Sequence, residues 1–86
     1  MNDLSLDSPF HPEYDYYLKG RARGKTWNGR QADILNRVLL KGAIPVRAYP
    51  SFIEGYIRAS GMLPSQMAFE RRRVLNFVNG IPVWRV

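Results

Sequence analysis

Eighty-six residues allow one small domain with a thin core, and a composition of 45% hydrophobic and 13% aromatic residues suits a compact globule. The formal net charge is +6, from 13 Lys and Arg against 7 Asp and Glu, and there is no cysteine. A disulfide framework, a thiolate zinc site and a catalytic thiol are therefore excluded. The longest apolar runs fall well short of the ~20 residues that span a bilayer, so a cytoplasmic protein with no membrane role is expected.

The charge is unevenly spread. Residues 1–15 hold Asp3, Asp7, Glu13 and Asp15 and no Lys or Arg. Residues 16–86 hold all 13 cations against Asp33, Glu54 and Glu70, a surplus of ten. Such an excess on a small fold attracts polyanions, and its clustering points to nucleic acid.

Residues 1–11, polar and interrupted by Pro9, read as a flexible acidic tail. Residues 12–29 read as a short helix followed by a basic arm. Pro12 suits a first helical position, Glu13 and Asp15 suit the positive end of the dipole, and Gly20 is a natural stop. Beyond it lies Gly20-Arg-Ala-Arg-Gly24-Lys25-Thr26, which is one residue short of a Walker A loop. Such a loop needs four residues between its glycines to wrap amides around a phosphate, and here three intervene. No nucleotide cofactor is expected. As an arm the segment makes better sense: Lys19, Arg21, Arg23 and Lys25 alternate with small residues, and a chain of that kind can lie close to a narrow A·T-rich minor groove.

Residues 30–86 read as one domain. A helix over Gln31–Lys41 carries Ile34, Leu35, Val38 and Leu39 as its buried stripe, with Asn28 as cap, Gln31 completing a capping box and Gly42 as terminator. Arg37 and Lys41 point away from that stripe. Pro45 and Pro50 mark a short extended piece. Ser51 and Glu54 offer a second capping box before Phe52, Ile53, Tyr56 and Ile57, and Ser60-Gly61 closes this helix. Gly55 in its middle costs about 1 kcal/mol relative to Ala, which implies a neighbouring helix passing close by. A third helix starts at Pro64 or Ser65 and runs to Arg72. Asn79-Gly80, between apolar runs, is a strong two-residue hairpin signal, though the pair serves equally as a helix C-cap. The β-branched and aromatic content of Val74–Val86 favours the hairpin.

The expected fold class is therefore α+β, mainly α: a three-helix helix-turn-helix core with a C-terminal β-hairpin wing. Through Gln31–Lys41, Ser51–Ser60, the Gly61–Pro64 turn, Ser65–Arg72 and Asn79-Gly80, the chain resembles winged helix-turn-helix domains. Small basic proteins of phages and mobile elements, such as excisionases, are similar in size and charge. The resemblance implies a regulator or recombination accessory factor that binds duplex DNA. The third helix then enters the major groove, where Ser65, Gln66 and Phe69 meet base edges while Arg72 and Arg73 clamp phosphates. The arm Lys19–Lys25 reaches the adjacent minor groove, the wing with Asn79, Arg47 and Arg85 meets the backbone, and Arg30 is a further nucleic-acid contact. With five to eight phosphate contacts, log K should fall with log salt at a slope of about −5 to −7.

Two other readings stand beside this one. The apolar hairpin, with large side chains on both faces, suits a homodimer or a protein partner, as in a phage-type inhibitor docking on a host complex. An Arg-rich arm also suits structured RNA. No enzyme is expected: His11 is the single histidine, and no catalytic set or metal-ligand spacing accompanies it.

Overall fold

Glycine placement governs how the helices meet. The computed structural model describes residues 5–29 and 33–81, and its first helix, α1, spans Tyr14–Gly24. The α1 start is fixed by His11, whose Nδ1 accepts the Glu13 N–H at 2.9 Å. Asp15 in the first turn and Arg21 and Arg23 in the last match the helix dipole. Helix α2 spans Tyr49–Ser60, and the two cross with their backbones in contact. A Cβ on Gly20 would lie 2.0 Å from the Phe52 carbonyl oxygen, one on Gly24 2.2 Å from that of Tyr56, and one on Gly55 2.1 Å from that of Tyr17. The close neighbour implied by Gly55 is α1. Gly20 is thus not a helix stop, and α1 runs on to Gly24. Gly20 and Gly24 are the face on which α1 rests, so Lys19–Gly24 is helical where an extended arm was expected.

The link between these helices is irregular. Leu35–Leu40 forms a π-helical segment between two non-glycine residues at positive φ, Asp33 at 62° and Ala43 at 57°. Its stripe is the expected one: Ile34, Leu35, Val38 and Leu39 are all buried. Its start is not. The helical turn opens at Ile34, and the backbone N–H groups of Asp33 and Ile34 are accepted at 3.4 and 3.2 Å by the carboxylate of Glu70, far along the chain. Asn28 lies exposed ahead of this turn, and Gln31 lies outside the described residues. Ala43, rather than Gly42, takes the left-handed position at the end. The segment expected to be extended contains a 3-10 turn, Val46–Ala48, that runs straight into α2. Pro50 stands in the first turn of α2, where its missing N–H costs nothing, and Ser51 is buried instead of capping.

Gly61, at φ 77°, ends α2, and after a turn through Leu63 the third helix, α3, spans Pro64–Val78. The α2 and α3 helices form an antiparallel hairpin: Glu54 meets Arg71, and further from the turn Tyr49 stacks on Phe77 with ring centroids 5.8 Å apart. Here the expected α+β class is overturned, for there is no strand among the described residues and no β-hairpin wing. Met67, Glu70, Val74, Phe77 and Val78 recur at helical spacing and turn toward the core, so the helix continues through the arginines. Asn79-Gly80 closes it. The Gly80 N–H donates to Phe77 O and the Ile81 N–H to Asn76 O, with Gly80 at φ 80°, which is a Schellman cap. The same dipeptide supplies positive φ to either a hairpin or a cap, and burial decides between them. The expected strand residues Pro82–Val86 lie outside the described residues.

The core joins Ile34, Leu35, Val38 and Leu39 to Tyr49, Phe52, Ile53, Tyr56 and Ile57 of α2, with Met62 and Val74 closing it and Trp27 packed at its edge. Residues 5–13 form successive turns, and Leu6 and His11 lie beside α2 and α3.

Candidate nucleic-acid interface

The cations divide into two populations. On the α2–α3 side they meet carboxylates. Arg71 and Arg58 both pair with Glu54, and Arg73 pairs with Asp33 at 3.0 Å. Although burial opposes its ionisation, hydrogen bonds from Asn36 and the Arg73 guanidinium hold the Asp33 carboxyl below the usual carboxylate range. Arg58 also donates to the Tyr17 hydroxyl, which strengthens its hold on the proton.

On the other side, among the described residues, the cations gather without forming ion pairs. Lys19 and Arg23, one turn apart on α1, face Arg37 of the π-helical segment and Lys41, which caps its C-terminal end. Between them lies a groove of about 420 Å³ whose floor is Val38, Ile44 and Phe52. No carboxylate lines it, and among the described residues none of the four cations lies within ion-pair distance of an acid. Lys19 and Arg47 both lie over the Tyr16 ring, at 5.3 and 5.8 Å from its centroid, so the cationic surface extends past the groove mouth. Arg23 also reaches Thr26, whose hydroxyl donates to the Arg23 carbonyl.

This arrangement follows from the crossing glycines. With Gly20 and Gly24 against α2, the side chains of Lys19 and Arg23 are turned toward the linking segment. The π-helical segment buries Leu35, Val38 and Leu39, and Arg37 and the capping Lys41 are left exposed.

Among the residues predicted from sequence, Lys19 and Arg23 line the groove and Arg47 lies beside it. Arg21 is exposed over the Tyr17 ring, and Lys25 is exposed at the α1 C-terminus. Ser65 and Arg72 are exposed on α3, Gln66 is half-buried, and Phe69 is exposed with the Arg73 guanidinium over its ring. Asn79 caps α3 and is not a wing tip. Arg30 and Arg85 lie outside the described residues. Arg37 and Lys41 were not among the predicted residues. Their spacing of four on the polar side of the Ile34–Leu39 stripe is the signal that could have found them.

Among the described residues no group of three or more His, Asp or Glu could hold a metal, and no helix is long and apolar enough to cross a membrane. The fold and site define a small helical protein that gathers unpaired cations around a concave surface. Comparison with protein-family models, curated proteins and solved structures returns no match.

Proposed function

We propose that this protein binds DNA through its phosphate backbone, using the groove between α1 and the π-helical segment. One observation carries this reading: four cations converge on a concave surface that contains no carboxylate. Like charges so placed repel one another, and a polyanion relieves that repulsion while releasing its condensed counterions. Arg47 and Lys25 extend the surface, and Arg72 supplies a peripheral contact from α3. Arg71 and Arg73 contribute less, because each is already engaged by a carboxylate, Arg71 by the Glu54 it shares with Arg58 and Arg73 by Asp33.

The four groove contacts alone contribute about −3.6 to the slope of log K against log salt, since each neutralised phosphate contributes about −0.9. Fluorescence anisotropy of a labelled duplex at 50–200 mM salt reads this directly. Arg37→Ala combined with Lys41→Ala should reduce the slope by about 1.8, whereas Arg72→Ala should change it by less than 1. Binding that is indifferent to salt, or equally weakened by all substitutions, removes the proposal. Stronger competition by duplex RNA than by DNA would reassign the partner.

A further inference from the structure

The groove is larger than phosphate neutralisation requires. Its volume is about 420 Å³, whereas a phosphate group has only about twice the ~30 Å³ of a water molecule. Pockets of roughly 300–1,000 Å³ hold whole small molecules. Its floor is also of the wrong kind for a phosphate. Val38 and Phe52 are almost fully buried core residues whose outer edges, with half-buried Ile44, form an apolar base beneath the cations.

A blunt duplex cannot fill such a site. Its phosphates line the outside of a cylinder, and its bases are stacked within, so phosphates seated on the rim leave the apolar floor wet. An unpaired nucleotide brings both kinds of surface. Its flanking phosphates lie between the α1 wall and the π-segment wall, and its base, no longer stacked, covers the floor.

We infer that the groove seats one unpaired DNA nucleotide, its flanking phosphates among Lys19, Arg23, Arg37 and Lys41 and its base on Val38, Ile44 and Phe52. The protein therefore favours duplex ends with a single-stranded extension over blunt duplex. The inference rests on the DNA-binding reading and specifies which form of DNA the same site prefers.

The test compares three labelled ligands with equal numbers of phosphates: a blunt duplex, a duplex with a five-nucleotide overhang, and the same overhang made of abasic sites. The full-length protein should bind the overhang at least tenfold more tightly than the blunt duplex, and the abasic overhang no better than blunt. Ile44→Ser should bring the overhang and blunt-duplex affinities together, removing the tenfold preference. Equal affinity for blunt and overhang DNA overturns the inference and leaves the DNA-binding reading standing, as does full retention of the preference by the abasic overhang. Failure to bind any of the three at low salt overturns both.

Discussion

Gly55→Ala is the sharpest test of how the site is built. In an isolated helix the substitution stabilises by about 1 kcal/mol, because alanine is the better helix former. Here the added Cβ would stand 2.1 Å from the Tyr17 carbonyl oxygen and 2.9 Å from the Arg21 nitrogen, whereas ordinary contact begins at 3.4 Å. Both neighbours are backbone, so no side chain can rotate away and the two helices must separate. Overpacking of this kind costs about 1–3 kcal/mol, and a rigid backbone obstacle belongs at or above the top of that range. Set against the gain in propensity, the net loss is about 2 kcal/mol. For a domain of this size 1 kcal/mol moves Tm by about 4–8 °C, so a drop of roughly 8–16 °C is expected in thermal unfolding followed by circular dichroism. Ala22→Gly, at an exposed α1 position, should lose about 1 kcal/mol from propensity alone and serves as a scale. Separation of the helices would also draw Lys19 and Arg23 away from Phe52 and weaken DNA binding. A Gly55→Ala protein as stable as the parent would refute the close crossing and the groove that depends on it.

Glu70 should give stability an inverted pH dependence. Burial raises its carboxyl above the usual range, with the Ile34 and Asp33 N–H groups opposing the shift. Its contribution is therefore full below the unfolded value of about 4.3 and is lost as pH rises through the folded value. Asp33, lowered in the fold, acts in the other direction, its contribution being lost as pH falls through its folded value. Urea unfolding across pH should show that Glu70→Gln flattens the upper decline; an unchanged decline would assign it to another group. Gly80→Ala forces a side chain into φ 80° and should lower stability by about 1 kcal/mol, measured by thermal melting; no change would argue against the Schellman cap. Arg37→Ala with Lys41→Ala should leave unfolding free energy within about 0.5 kcal/mol of the parent, since both side chains are exposed; a larger loss would mean that these residues support the fold.

Much of the core was legible in the sequence. The stripes at Ile34–Leu39 and Phe52–Ile57, the Gly61 terminator and the start of α3 follow from period and capping chemistry, which are local. The close approach at Gly55 was legible for the same reason, as an energetic anomaly that demands a partner. The failures share a different cause. Gly20 and Asn79-Gly80 each have two structural meanings, breaker or contact surface, turn or cap, and only tertiary packing chooses between them. The capping of Ile34 by Glu70 spans the length of the fold and leaves no local trace. Of the candidate site, the α1 cations were visible as a cluster. Arg37 and Lys41, placed outward by the same periodicity that buries Val38, became part of it only when α1 was laid beside them. Arg72 and Arg73 of α3 were expected to clamp phosphates, yet Arg73 faces a carboxylate supplied by the linking segment, as its neighbour Arg71 faces one supplied by α2.

Amide NMR during titration with duplex DNA at low salt tests the central assignment most directly. The account predicts that shifts concentrate at Lys19 and Arg23 on α1 and across Arg37–Gly42, with little change at Arg71 or Arg73. Shifts centred instead on Ser65–Arg72, or none at saturating DNA, would contradict it.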